Sequence, residues 1–128
     1  MNPTGKAALK SYRDLLVWQK SMDLVVAVYQ VAKKLPPSER YGLMAQMQRA
    51  AVSIPSNISE GYGRSHRGDY LHHLSVANGS LKEVETQLVL STRLGFLREA
   101  ETKEAMQLAD EVGRMLASLM QKLKVRSF

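Results

Sequence analysis

Polar side chains of several kinds recur along one predicted helix, and they are the residues of this sequence that could support chemistry. Their spacing of three and four residues places them on one face of an α-helix. They are Gln46, Arg49, Ser53, Asn57, Glu60 and Arg64. A carboxylate near a guanidinium could transfer a proton, whereas the same groups could also fix how two helices pack. The pattern therefore allows a catalytic cleft or a structural polar network.

The next predicted helix brings partners to this face. If it folds back around a turn centred at residues 65–66, facing residues have numbers that sum to about 132. This register places Arg49 against Glu83 as an interhelical ion pair. It also places Ser53 against Gly79 and Ser80, and Gln46 against Thr86. We favour the structural interpretation, because hydrolysis needs a nucleophile, a base and an anion-stabilising group in one pocket. The predicted structural network consists of Gln46, Arg49, Ser53, Asn57, Glu60, Ser80, Glu83 and Thr86.

A hydrolytic or metal-dependent enzyme that uses Glu60, His66 and Glu83 is the main alternative. The histidine spacing argues against it, because the adjacent His72 and His73 point about 100° apart on a helix. Neither the His-Glu-x-x-His nor the Glu-x-x-His pattern of metal-binding helices occurs in the sequence. We therefore predict a protein that is not an enzyme, with no catalytic residue, no metal and no cofactor.

Length and composition indicate one soluble domain. The chain has 128 residues, which suffice for a single core, and no cysteine, which is compatible with a reducing compartment. No apolar run approaches the roughly 20 residues that span a bilayer, and the N-terminus lacks the apolar segment of a signal peptide. We expect a cytoplasmic protein with no membrane partner, and we identify no small-molecule substrate.

Prolines and glycines divide the chain into segments with helical periodicity. We predict four helices, at about 14–35 with Asp14 as N-cap, 38–61, 69–94 and 98–124. Gly95 suits the left-handed conformation that often follows a helix. Matched lengths and short links predict an antiparallel up-down-up-down four-helix bundle. The bundle domain is 14–124, between a basic N-terminal tail at 1–13 and a C-terminal tail at 125–128.

The first predicted helix is apolar on two sides. One stripe, which we assign to the bundle core, contains Leu15, Trp18, Met22, Val25, Tyr29 and Ala32. A second stripe lies about 100° away on the helix. It contains Val17, Leu24, Val28, Val31 and Leu35. Because one core needs only one stripe, we predict that the second stripe is the interface of a ring-like homo-oligomer. The alternative is that the first helix is buried on both sides within a single bundle.

Positive charge is concentrated in the two tails. The formal net charge is +6, and residues 14–121 carry equal numbers of acids and bases. An up-down bundle would bring both tails to the same end as the turn between the second and third helices. This arrangement suggests a binding site for nucleic-acid phosphates. The predicted nucleic-acid contacts are Lys6, Lys10, Arg13, Arg64, Arg67, Lys122, Lys124 and Arg126. Better solubility is an alternative reason for basic tails.

Two long motifs carry a family resemblance. The stretch QMQRAAVSIPSNISEGYGR at 46–64 and the stretch GSLKEVET at 79–86 resemble the four-helix bundle proteins encoded in intervening sequences of bacterial 23S rRNA genes. The segments DLLVW at 14–18, PPSERYGL at 36–43 and LGFL at 94–97 also fit that family. The resemblance therefore covers nearly the whole chain.

The resemblance implies a small cytosolic bacterial bundle that assembles as a homopentamer. It also implies a relationship to the accessory protein of diversity-generating retroelements, which binds a reverse transcriptase and nucleic acid. No activity is established for the family. We therefore predict a non-enzymatic homo-oligomeric scaffold that binds RNA, or a nucleic-acid-processing partner, through a basic end. A protein–protein adaptor is a further alternative.

Overall fold

Four α-helices form the protein in the computed structural model, which describes residues 9–125. They are α1 (Leu16–Ala32), α2 (Leu43–Tyr62), α3 (Arg67–Arg93) and α4 (Glu99–Val125). Two short 3-10 helices, Tyr12–Asp14 and Pro37–Glu39, precede α1 and α2. Residues 9–125 contain no β-strand. The predicted all-helical class with four helices is confirmed.

The start of α1 is organised differently from the prediction. Asp14 is not the N-cap of α1, because it ends the first 3-10 helix, which Ser11 caps. The Ser11 hydroxyl accepts a hydrogen bond from the Arg13 amide at 3.1 Å, and the Asp14 carboxylate accepts one from the Ser11 amide at 3.3 Å. Ser11 and Asp14 therefore form a capping box, with the serine first and the acid three residues later.

The predicted start of α2 is also too early. Pro37 lacks an amide hydrogen and has a fixed φ, which suits the 3-10 helix Pro37–Glu39, and α2 begins only at Leu43. The Glu39 carboxylate accepts a hydrogen bond from the Leu43 amide at 3.0 Å. Gly95 adopts a φ of 81°, so its predicted left-handed conformation after α3 is confirmed.

Each helix packs against two others. Within the described residues, α1 contacts α2 and α4, and α3 contacts the same two helices, whereas α1 and α3 do not touch. The α2–α3 contact is the most extensive of the four. None of the four helices, over the range given above, is long and apolar enough to cross a membrane.

The α1 stripe predicted to face another subunit lies in the core of the single chain. Its members have exposed fractions of 5% or less, and they are Val17, Leu24, Val28, Val31 and Leu35. The prediction that this stripe is an oligomer interface is therefore wrong. Both stripes have the same helical period, so contacts with α2 and α4, rather than periodicity, decide which stripe is buried.

Apolar side chains remain exposed on two surfaces. The first, here called the α1 surface, surrounds a groove of about 350 Å³ between α1 and α2. It consists of Trp18, Met22, Val25, Val26, Tyr29 and Val52, of which Met22 is 41% and Val26 is 60% exposed. The second, here called the α3 surface, consists of Val89, Leu90 and Leu94. Residues from the stripe assigned to the core thus form the outer face of α1.

Candidate functional site

Polar side chains bridge α2 and α3 at two levels. Ser80 Oγ donates a hydrogen bond to Ser53 Oγ at 2.8 Å, and Asn57 Nδ2 donates to the same Ser53 oxygen at 3.0 Å. One turn further along α2, Asn57 Oδ1 lies 3.1 Å from His73 Nδ1. Because an amide oxygen can only accept, His73 Nδ1 carries the proton in this contact. Part of the predicted network thus joins the helices, and it includes His73, which the sequence analysis left out of it.

Close packing of α2 on α3 depends on the glycine at the next level. A Cβ atom on Gly61 would lie 2.7 Å from His73 Cβ and 3.1 Å from Tyr70 Cδ1, so only glycine fits without a shift of the neighbours. Tyr70 packs edge-on against Tyr62 with ring centroids 6.1 Å apart. Its buried hydroxyl has no hydrogen-bond partner within residues 9–125. Burial, together with the nearby Tyr62, raises the pKa of Tyr70 to about 12.

The predicted Arg49–Glu83 ion pair does not form. Both side chains are exposed and line one groove, yet neither has an ion-pair or side-chain hydrogen-bond partner in the described part of the chain. An exposed pair gains only about 0–1 kcal/mol, which does not ensure that two hydrated, flexible side chains stay together. Thr86 donates its hydroxyl hydrogen to the Lys82 carbonyl at 2.8 Å and does not line this groove.

The groove that holds these two charges, here called the polar groove, runs between α2 and α3. Its volume is about 420 Å³. Its lining consists of Gln46, Arg49, Ala50, Ser53, Ser80, Glu83 and Gln87. Gln87 Oε1 is buried and accepts no hydrogen bond from any residue between 9 and 125. The sequence analysis missed Gln87, which falls two helical turns after Ser80 and so shares its face of α3.

The residues of the alternative enzyme are not brought together. Glu60 forms an ion pair with Arg64 at 3.0 Å and lies 3.9 Å from His73 Nδ1, whereas Glu83 lines the polar groove. His66 is exposed at the start of α3. Among residues 9–125, no three histidine, aspartate or glutamate side chains form a group that could hold a metal ion.

Most of the predicted nucleic-acid contacts are exposed cations near helix ends. Lys6 and Arg126 lie outside the described residues. The six that the structure describes are Lys10, Arg13, Arg64, Arg67, Lys122 and Lys124, and we call them the basic end. Tyr12 lines the same groove as Ser59 near the end of α2, and Lys20 on α1 forms an ion pair with Glu111 on α4 at 3.1 Å.

A larger groove between α3 and α4 was not predicted from the sequence. Its volume is about 1220 Å³, and its lining includes Val89, Arg93, Lys103 and Met106. Three of its charged residues are already engaged, since Arg114 pairs with Asp110 at 2.9 Å and Glu111 pairs with Lys20 at 3.1 Å. The size of such a groove depends on how α3 and α4 are placed relative to each other. No local sequence pattern predicts that placement.

A small four-helix protein with a polar contact between its second and third helices is the class that this geometry defines. Residues 13–118 match the sequence model of the 23S rRNA-intervening sequence protein family. The chain belongs to that family, as the resemblance at 46–64 and 79–86 predicts.

The fold is also similar to a known crystal structure. That structure, at 1.70 Å resolution, is of a protein of unknown function from the S23 ribosomal protein family of Bacteroides thetaiotaomicron VPI-5482. The two chains share 23% sequence identity with a TM-score of 0.76, over 83% of this chain and 96% of the other. A comparison with curated proteins gave no match. Neither similarity indicates a catalytic family, and the relationship to the retroelement accessory protein stays a prediction.

Proposed function

We propose that the protein is a non-enzymatic, cytoplasmic, homo-oligomeric scaffold that binds RNA through its basic end. The observation that carries the proposal is the exposure of the cations in the first and last described segments and at the α2–α3 connection. Asp14 and Glu60 nearby are already engaged, in the capping box and in the pair with Arg64. The remaining positive charge favours a polyanion.

An antiparallel up-down-up-down order of the helices would bring these cations to one end of the bundle. From the Asn57–His73 contact to the Ser53–Ser80 contact, residue numbers fall along α2 and rise along α3, which supports that order. On the other side of the bundle, Lys20 pairs with Glu111. If α1 and α4 are antiparallel at that pair, the N-terminal end of α1 and the C-terminal turns of α4 lie on the same side of it. The lysines at the end of α4 would then lie towards the N-terminal cations.

Phosphate binding suits these cations better than base recognition does. Exposed lysine and arginine side chains bind phosphate oxygens regardless of sequence and release counterions, so affinity falls steeply with salt. Lys10, Arg13, Lys122 and Lys124 come from two chain ends and could follow a flexible strand. We therefore expect single-stranded RNA to be bound mainly through its backbone.

Self-association is the second part of the proposal. Helices α1 and α3 each contact α2 and α4 but not each other, so the α1 surface and the α3 surface are two separate surfaces of the bundle. When two different surfaces of one chain pair with each other, the subunits assemble head to tail, and the assembly closes into a ring if the rotation permits. A pentameric ring is the form that the family resemblance suggests. A ring would repeat the basic end around its axis and raise the avidity for RNA.

An RNA-binding titration at several salt concentrations tests the proposal. Fluorescence anisotropy with labelled oligouridine would compare the natural chain with a variant in which four basic-end residues are changed to glutamine: Lys10, Arg13, Lys122 and Lys124. The plot of log affinity against log salt should lose about 3 units of slope, because each phosphate contact on a single strand contributes about 0.7. Light scattering on the same samples measures the subunit number.

A matched variant controls for total charge. It changes four exposed cations elsewhere to glutamine, namely Lys33, Lys34, Arg40 and Arg98. This variant should keep the natural salt slope. An equal loss of salt slope in both variants would mean that RNA binding depends on the total charge of the protein and not on the basic end. No RNA binding by the natural chain would favour a protein–protein adaptor.

A further inference from the structure

Two opposite charges face the polar groove without partners. Arg49 stands on the α2 wall and Glu83 on the α3 wall, and no described residue pairs with either. Side chains whose role is to fix helix register would be expected to bond to each other, as Ser53 and Ser80 do. The groove instead offers a planar array of donors on one wall and a carboxylate acceptor on the other.

The floor of the polar groove adds two unused hydrogen-bonding groups. Gln87 Oε1 is a buried acceptor to which no residue in the described range donates. Ser53 Oγ accepts two hydrogen bonds and donates none to a described residue, so its hydroxyl hydrogen is available. Buried polar groups in folded proteins nearly always have partners, so an acceptor left without one indicates a site for a donor from outside the chain.

We propose, on the basis of the RNA-binding function above, that the polar groove accepts an unpaired guanine base. Guanine presents two neighbouring donors, N1–H and the N2 amino group, and two neighbouring acceptors, O6 and N7. The Glu83 carboxylate accepts from both donors, and the Arg49 guanidinium donates to both acceptors. The second N2 hydrogen is then available to Gln87 Oε1. Adenine, cytosine and uracil lack the paired donors, so the groove prefers guanine.

The position of the groove suits a strand held at the basic end. Ser53 and Arg64 are on the same helix and about 16 Å apart along its axis, a distance that a few nucleotides of extended RNA can span. Recognition of RNA sequence commonly uses unstacked bases of single strands, which are read on their Watson–Crick and Hoogsteen edges. The basic end would supply affinity, and the groove would supply base preference.

The test compares oligouridine with oligouridine that carries one guanosine, adenosine or cytidine, using anisotropy and the full chain. The guanosine strand should bind at least about fivefold more tightly than the other three, the lower limit for one well-formed bidentate contact. Arg49→Gln and Glu83→Gln should each abolish that preference and leave the affinity for oligouridine unchanged. Glu104→Gln, an exposed acid on α4, is the matched control and should retain the preference.

A nucleoside titration separates this inference from the proposed function. Guanosine has no phosphate, so chemical-shift changes at the amides around Ser53 and Gln87 report the groove alone. Chemical-shift changes at these amides with guanosine, but not with adenosine, would support the guanine site. They would do so even if oligouridine fails to bind, because that failure contradicts only the proposed function. Equal affinity for all four strands, or a guanosine preference that survives both groove substitutions, would overturn the guanine site and leave backbone binding intact.

Discussion

Ser80 on α3 donates a 2.8 Å hydrogen bond to Ser53 on α2, and the same Ser53 oxygen also accepts from Asn57. One hydroxyl oxygen therefore serves both a contact within α2 and a contact between the helices. Loss of this oxygen would leave two partly buried donors without their acceptor, although Asn57 Nδ2 also reaches the Ser53 carbonyl at 2.9 Å.

Ser53→Ala should lower the free energy of unfolding by about 1–3 kcal/mol, because the Ser80 hydroxyl loses its partner in a partly buried place. Urea denaturation monitored by circular dichroism measures the change. Ser56→Ala on the exposed side of α2 is the matched control, since it has the same change in helix propensity and should stay within about 0.5 kcal/mol. Equal effects in the two variants would show that the Ser53–Ser80 bond does not stabilise the fold.

Gly61→Ala should destabilise the protein by about 1–3 kcal/mol, because the added Cβ collides with the backbone-anchored Cβ of His73. Gly79→Ala on α3 should instead stabilise it by about 0.5–1 kcal/mol, since nothing lies within 4 Å of the added atom. Thermal unfolding of both variants compares them directly. Stabilisation by both substitutions would mean that α2 and α3 can move apart at Gly61.

Arg49→Ala should change the free energy of unfolding by less than about 0.5 kcal/mol, because the side chain is exposed and pairs with no residue in the described range. A buried, paired arginine would give a loss of about 3–5 kcal/mol. Chemical denaturation in low and high salt distinguishes the two cases. A large loss in the free energy of unfolding that does not depend on salt would show that Arg49 and Glu83 form the predicted ion pair.

Tyr70 should make stability fall with pH in the alkaline range. Burial raises its pKa from 10.0 to about 12, so the unfolded chain releases the phenolic proton before the folded chain does. The stabilising contribution is fully present below about pH 10 and is lost as the pH rises towards 12. Denaturation midpoints across this range, compared between the natural chain and Tyr70→Phe, isolate the effect.

At neutral pH the same substitution, Tyr70→Phe, should be neutral or slightly stabilising, because it removes a buried hydroxyl that has no partner among residues 9–125. A loss of more than about 1 kcal/mol would imply that the hydroxyl is hydrogen-bonded in solution. Parallel pH profiles for the two proteins would in turn contradict the raised pKa of Tyr70.

Val26→Glu should disrupt self-association without unfolding the chain. Val26 is 60% exposed on the α1 surface, so a charge there costs little in the single subunit but opposes burial against another. Sedimentation velocity should show smaller particles, while circular dichroism stays unchanged. Val76→Glu on α3 is the control for added charge, because Val76 is 39% exposed and belongs to neither apolar surface. An unchanged sedimentation coefficient for Val26→Glu would place any interface elsewhere.

The sequence predicted the helices well because proline, glycine and helical periodicity are local signals. It gave the register of α2 against α3 closely enough to pair Ser53 with Ser80. It failed where long-range packing decides the outcome. The two stripes of α1 have one period, so the sequence could not distinguish Leu24, which is buried, from Met22, which is exposed. It paired Arg49 with Glu83 by position, whereas both side chains are exposed and form no ion pair with each other.

The contact between α1 and α4 joins the first and last helices, and this has a consequence during protein synthesis. Chains emerge from the ribosome with the N-terminus first, so α1 is released long before the helix that covers one of its sides. The α2–α3 contact, which joins residues close in sequence, can form while translation continues. Leu24 and Val28 can reach their final environment only after α4 has also left the exit tunnel, so closure of the core waits for the fourth helix.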